Sequence, residues 1–376
     1  MRPLVHVPHR GEMPRTLLHR SKPTELEVLQ SNPHYDQAIE LKADQLEVYP
    51  EYPQIQYDII RSAIDDLDFV DEVNDAAARI ADVVVKTGNY EYQGMTIKDE
   101  TEQLTRAYKI RGATNFILKH EAEALTYGVV TASAGNHGQG VALAAAKIGV
   151  PSLVVVPHGT PQVKIDGIHA HGGRVIKYGN DYRAAASKAL ELSQADNGLY
   201  VPAYNHRDIM AGQATIGKEL YQDFQGNLSD VLVPTGGGGL LAGLAKYLSV
   251  KMPDTPVWGC GVRNFSAVES AYTSGNTATT PTNSFADGIA VAQLGSVTWP
   301  EIWEHARGSL TVSELSLRRS VGALSLSDFT VEGAGAAGVA AAIQHGQILG
   351  NHVLAVVTGG NIDSEVLNQC RALASS

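Results

Sequence analysis

Residues 230–243 read DVLVPTGGGGLLAG. The apolar DVLVP has the length and bounding turn signal of a buried strand, and LLAGLAKYL beyond the glycines has helical spacing. Four consecutive glycines at this junction let several backbone N–H groups converge at a helix N-terminus, which makes a cradle for a phosphate or another anion. A plain linking turn would not need the backbone entropy that four glycines cost. No Lys-Ser or Lys-Thr follows, so a nucleotide-hydrolysing P-loop is disfavoured, and the spacing of a dinucleotide-binding GxGxxG is absent.

Two further glycine segments follow strand-like runs. SAGNHGQG at 133–140 lies between VVTA and VALAAAKIG. Ser133, Asn136 and the local amides can serve a carboxylate or a ring oxygen. A helix cap explains Ser133 and one glycine but not an Asn-His pair with glycines on both sides. TGGN at 358–361 follows HVLAVV, where spacing alone reads as a turn. ETEQLTRAYKIRGATNF at 100–116 sets Lys109 at the head of a helical run, where a surface lysine is the default reading.

The wider chain fits an α/β protein. Short β-branched runs alternate with alanine-rich helices from about residue 76, which argues for parallel sheets flanked by helices. IADVVVKT (80–87) and GMTIKDE (94–100) read as strands, and YKIRGATNFILKHEAEAL (108–125) as one helix. Two such units, with the chain leaving and re-entering one of them, give an N-terminal extension at 1–75, a large domain at 76–125 and 209–376, and a small domain at 126–208. Residues 25–75 hold fourteen Asp or Glu against Lys42 and Arg61, with apolar residues interleaved, and are expected to be a mostly helical or irregular extension packed on the main body.

Composition narrows the function classes. A chain of 376 residues that is 44% apolar can bury a large core. A formal net charge of -11 without a basic run argues against nucleic acid. Cys260 and Cys370 are too few for a disulfide framework, and no run approaches the about 18 apolar residues of a membrane span. A cytoplasmic enzyme of small molecules, without a membrane partner, is the expectation.

YKIRGA (108–113), TASAGNHGQGVALAAAKIG (131–149), MAGQATIGKE (210–219), VLVPTGGGGLLAG (231–243), FADGIAV (285–291) and VTGGNID (357–363) stand in the order found in pyridoxal-phosphate enzymes of fold type II. Over roughly residues 78–365 the chain resembles that superfamily, named for the tryptophan synthase β chain, and within it the serine/threonine dehydratases, or threonine ammonia-lyases. The resemblance implies pyridoxal 5'-phosphate as cofactor, with Lys109 as the lysine that carries it and later takes the α proton. It places Tyr108 against the ring, and Gly236, Gly237, Gly238, Gly239 and Leu240 at the phosphate. Asn136 is implied at the ring's phenolic oxygen, and Ser133, Ala134, Gly135, Asn136 and His137 in the loop for the substrate carboxylate. Thr358 is implied at the pyridine nitrogen, where a hydroxyl in place of a carboxylate suits elimination. Plain packing also accounts for Tyr108 and His137, and Arg111 reads as a group that holds its helix rather than touches substrate. Asp287 reads as a residue that orients backbone or closes the domain contact; His206 and Arg207 carry no assigned role. The implied reaction removes water from a β-hydroxy L-amino acid such as threonine or serine, leaving a 2-oxo acid and ammonia; the family commonly forms dimers or tetramers.

Several positions depart from the family pattern. Its Gly-Ser-Phe-Lys becomes Arg106-Ala107-Tyr108-Lys109, which brings a bulky cation near the lysine and is expected to alter the pocket or its solvent boundary. The Glu-Pro pair after VWGCGV becomes Arg263-Asn264, so the divalent-cation site of metal-activated relatives is not expected; no metal ligand set is assigned. With the sequence ending at residue 376, a C-terminal regulatory domain is not expected either. Ala134 replaces a serine that acts as a second base in related serine racemases, which disfavours racemisation. A β-replacement synthase of the cysteine-synthase type and a non-catalytic cofactor-binding protein are the competing readings. SAGNHG does not match the Thr-Ser-Gly-Asn-Thr loop of the first, and the presence of Lys109 argues against the second.

Overall fold

The computed structural model describes residues 29–48, 52–195, 198–279 and 284–375. The chain divides after Val70 into two units. The first holds helices α1 (Tyr35–Leu41) and α2 (Ala43–Val48), and α3 (Pro53–Arg79) begins in it and ends in the second. The stretch DQAIELKADQLEV (36–48) forms two helices, with a break at Lys42.

In the second unit the order is β1 (Asn89–Tyr92), β2 (Met95–Asp99), α4 (Lys109–Lys119), α5 (Glu121–Tyr127), β3 (Val129–Ala132), α6 (Asn136–Lys147), β4 (Ser152–Val156), α7 (Gln162–Ala170), β5 (Arg174–Lys177), α8 (Tyr182–Ala195) and β6 (Leu199–Tyr200). There follow α9 (Arg207–Phe224), β7 (Asp230–Pro234), α10 (Gly239–Lys251), β8 (Val257–Val262), α11 (Ala267–Ser274), α12 (Thr298–His305), β9 (Gly308–Val312), α13 (Glu314–Ser325), α14 (Ala337–His345), β10 (Val353–Val357) and α15 (Ser364–Ala374).

These strands form two sheets. One has the order β1-β2-β10-β7-β8-β9 and the other β5-β4-β3-β6. Every pairing is parallel except the β1–β2 hairpin. The central strands β2, β7 and β10 are buried along their whole length, as strands covered on both faces are, and in β2 this includes Thr96, Lys98 and Asp99. The chain makes β1 and β2, crosses to the second sheet, and returns at β7. All three glycine segments sit at the carboxyl ends of strands β3, β7 and β10, the end at which parallel sheets bind ligands.

Two expectations fail locally. IADVVVKT is not a strand. Its first residues continue α3 as turns, with Val83 and Val84 amides donating to the Ile80 carbonyl. Val85 is then held by the Gln103 side chain, which accepts from its N–H at 3.1 Å and donates to its carbonyl at 2.8 Å, so no ladder is available. The helix read over 108–125 is two helices broken at His120, whose backbone is non-helical. His120 instead stacks on Phe116 at 4.6 Å between ring centres and bonds Asp208 at 2.9 Å.

The turn leading to Lys109 is anchored by a buried ionic cluster. Arg111 donates to both oxygens of Glu100 (2.8 and 2.7 Å) and to both of Glu219 (2.7 and 3.1 Å). Lys98 pairs with Glu219 at 2.6 Å and donates to the Thr87 carbonyl at 2.7 Å. Arg111 therefore holds its helix, as expected, but through buried carboxylates rather than an acidic surface. The two cations and two anions cancel. Burial alone would raise the Glu100 carboxyl; Arg111 and Lys98 overcome it and hold it below its ordinary value. Arg111→Met leaves two carboxylates without their shared partner and should cost about 3–5 kcal/mol, measured as a lowered midpoint in denaturant unfolding. Because the folded-state value of Glu100 is depressed, its contribution is present above the ordinary carboxylate value near 4.5 and is lost as pH falls from there through the lower folded-state value.

Candidate active site

Lys109 opens α4, and the segment before it is pinned by the TGGN loop. The Tyr108 amide donates to the Thr358 carbonyl at 3.1 Å, and the Gly360 amide donates to the Arg106 carbonyl at 2.9 Å. Ala107 and Gly359 form an antiparallel bridge. A segment at the end of β10 thus fixes the backbone on which the lysine stands.

A cavity of about 760 Å³ opens between the carboxyl ends of the two sheets. Its wall includes each residue that the resemblance assigns to cofactor or substrate: Tyr108 and Lys109, then Ser133, Ala134, Gly135, Asn136 and His137, then Gly236 to Leu240, and Thr358. Arg106 is absent from that wall; of the two effects expected of it, on the pocket or on its solvent boundary, its exposed side chain bears on the second. Its backbone is left-handed (φ 57°), its side chain is exposed, and a guanidinium nitrogen lies 3.4 Å from the Gly360 carbonyl.

The lysine Nζ donates to the Ala203 carbonyl at 2.9 Å. Burial lowers its pKa from 10.5 to about 8. Its place in the first turn of α4, the positive end of the helix dipole, acts in the same direction. The His137 Nε2 lies 3.2 Å from the Val201 carbonyl, whereas its Nδ1 is buried without a partner. Burial, with the Lys109 cation beside it, lowers that imidazole to about 3, so it stays neutral through the physiological range.

The tetraglycine loop is shaped from behind. The Gly237 carbonyl accepts from Thr298 Oγ1 at 2.8 Å and from the Gly295 amide at 3.1 Å. A Cβ at 237 would stand 2.5 Å from the Tyr204 ring, so only glycine leaves this wall its form. Gly238, with φ 96°, caps α10, whose first amides have no acceptor within the helix. An anion of phosphate size suits this cradle, while an amine of lowered pKa stands in the same cavity. These features fit pyridoxal 5'-phosphate: a nucleophilic amine for its aldehyde and unpaired N–H groups for its phosphate.

The family model described as "Pyridoxal-phosphate dependent enzyme" matches residues 86–359, and the chain belongs to that family. Among its relatives, the L-threonine ammonia-lyase of Geobacter sulfurreducens is 36% identical over 274 residues, covering 72% of this chain and 68% of the relative. The solved structure of the processed form of threonine deaminase isoform 2 from Solanum lycopersicum superposes with a TM-score of 0.77 at 30% identity, covering 82% of this chain and 88% of the other. Maize serine racemase gives 0.75 at 27% identity, covering 80% and 95%. The chain spans about half the length of other curated relatives it matches, 47% of one threonine dehydratase and 55% of another.

Sequence reasoning missed other members of the wall. Tyr204 backs the glycine loop, and Glu332 accepts from Asn136 Nδ2 at 2.7 Å. Asn361 donates to Asn136 Oδ1 at 2.8 Å. Glu332 had a legible signal: it is the one charged residue in VEGAGAAGVAAA, residues 331–342, where a solvated acid is out of place. Asp287 forms an ion pair with Lys164 that joins α7 to the 285–291 segment, consistent with a closure contact. His206 caps α9 by accepting from the Asp208 amide at 3.1 Å, and Arg207 binds Glu72 at 2.9 Å. Neither lines the cavity. Among the described residues, no helix is long and apolar enough to cross a membrane.

In the cofactor-free protein at pH 8, about half of Lys109 should be neutral, against well under ~1% of a lysine at its ordinary value. An amine-acylating reagent at limiting dose should therefore label Lys109 first, as read by peptide mass spectrometry. Preferential labelling of exposed lysines such as Lys86 would contradict this placement.

Proposed function

We propose that the protein is a pyridoxal-phosphate-dependent ammonia-lyase that removes water from a β-hydroxy L-amino acid of the threonine or serine type. The observation that carries the reading is the single cavity shared by Lys109, the 133–137 loop and the glycine cradle. The threonine ammonia-lyase and deaminase relatives support it.

The cofactor, when bound, supplies the electron sink that weakens the substrate's Cα–H bond. Gly236 to Leu240 would hold its phosphate, Lys109 its aldehyde carbon, Asn136 its phenolic oxygen and Thr358 its ring nitrogen. The amides of the 133–137 loop would receive the substrate carboxylate and so select which bond at Cα faces Lys109. With a pKa lowered to about 8, the Lys109 amine can accept the α proton at Nζ near neutral pH. His137 is a poor base here: a neutral imidazole near 3 has little proton affinity. The Lys164–Asp287 pair stands at the edge of this cavity, with both residues in its wall.

Serine racemase similarity offers a second reading, and Ala134 argues against it. Racemisation by two bases needs a proton carrier on the face opposite the lysine, and a methyl group carries none. Purified protein given L-threonine, L-serine and other β-hydroxy amino acids should release 2-oxo acid and ammonia in equal amounts, with D-amino acid below a tenth of the oxo acid by chiral chromatography. Lys109→Ala should lower oxo-acid formation by at least 10³-fold. Oxo acid from none of the panel would refute the lyase reading.

A further inference from the structure

Glu332 is a carboxylate in the cavity wall for which the proposed elimination has no use. It sits in the loop between α13 and α14, and its amide donates to the Gly359 carbonyl at 3.0 Å. A Cβ on Gly359 would lie 2.6 Å from Glu332 Oε1, so the TGGN loop is shaped to admit this carboxyl group. Asn136 stands between two fixed partners. Its Oδ1 accepts from Asn361 Nδ2 at 2.8 Å and its Nδ2 donates to Glu332 Oε1 at 2.7 Å. Asn361 Nδ2 also donates to the Thr105 carbonyl at 2.9 Å, which fixes it as the donor. The carboxamide cannot be turned over without setting donor against donor and acceptor against acceptor. One Asn136 N–H is thereby spent on Glu332 and the other remains for the cavity.

We propose that Glu332 is a positioning residue that acts through Asn136, holding its free N–H toward the cofactor's ring edge and setting the charge there by its own protonation. The inference rests on the reading that pyridoxal phosphate occupies this cavity. Burial raises the Glu332 carboxyl from 4.5 to about 7; Asp287 adds to the rise, while Asn136 and Lys164 oppose it. The Tyr108 hydroxyl feels the same carboxyl: its own pKa is raised by burial and then by the charge of Glu332. Below neutrality Glu332 is an acid with one O–H to donate. Above it, Glu332 is an anion beside Asn136, and that charge disfavours a second negative charge on the ring oxygen. The same side chain therefore presents a neutral acid or a negative charge to Asn136 according to pH.

The test compares wild type, Glu332→Gln and Glu332→Ala, each loaded with cofactor, by visible absorbance from pH 5.5 to 9 and by the pH profile of kcat/KM. Glutamine keeps an acceptor for Asn136 and a donor in place of the acid's O–H, but does not ionise. The wild-type spectrum should titrate with a midpoint near 7, and Glu332→Gln should hold the low-pH spectrum across the range and lose that limb of the rate profile. Glu332→Ala should also bind cofactor at least 5-fold more weakly, with Glu332→Gln within 2-fold of wild type. An unchanged titration in Glu332→Gln would overturn the proposal while leaving the lyase reading intact. A wild type that takes up no cofactor would overturn both.

Discussion

Everything at the candidate site hangs on the antiparallel contact between residues 106–108 and 358–360. The two backbone bonds that make the Ala107–Gly359 bridge lock the residues before Lys109 to the end of β10. Strand β10 in turn lies between β2 and β7, so the lysine's segment and the glycine cradle are referred to one sheet. A lysine Nζ swings on four carbon bonds, and its usefulness depends on a backbone that does not move. Behind it, the Lys98, Glu100, Arg111 and Glu219 cluster ties β2, α4 and α9 together with no net charge. Removing Arg111 leaves the Glu100 carboxylate, itself fully buried, without its ion-pair partner.

The same contact explains why the departure at Arg106 does little to the cavity. The residue takes a left-handed conformation that ordinarily favours glycine, and the strain is of order 1–2 kcal/mol. Its side chain leaves toward solvent, while its carbonyl does the structural work by accepting from Gly360. A substitution that looks disruptive in sequence thus changes the exterior of the turn and leaves the cavity wall to Tyr108 and Lys109.

The chemistry follows from unequal environments for neighbouring groups. Lys109 and His137 share a wall, and burial lowers both. The lysine begins high and arrives near the working range, whereas the imidazole begins near it and is carried out of it. Glu332 moves the other way, because burial penalises a negative charge just as it penalises a positive one. One amine is thus made available, one imidazole is silenced, and one carboxyl is brought to its midpoint.

Sequence alone determined the features that short-range physics controls. Strand, glycine run and helix at 230–251 are encoded locally, and so are the loop at 133–140 and the parallel rhythm of the sheets. Lys109, the three glycine segments and the cofactor class were legible there because each has a spacing or a resemblance that stands by itself. Other assignments waited for the tertiary structure. IADVVVKT has strand composition, yet Gln103 takes up the backbone groups of Val85 that a ladder would need. The break at His120 depends on Asp208, 88 residues away. Glu332 and Asn361 meet Asn136 across 196 and 225 residues. A side chain's partner, and the pKa that follows from burial, belong to contacts that no local window contains.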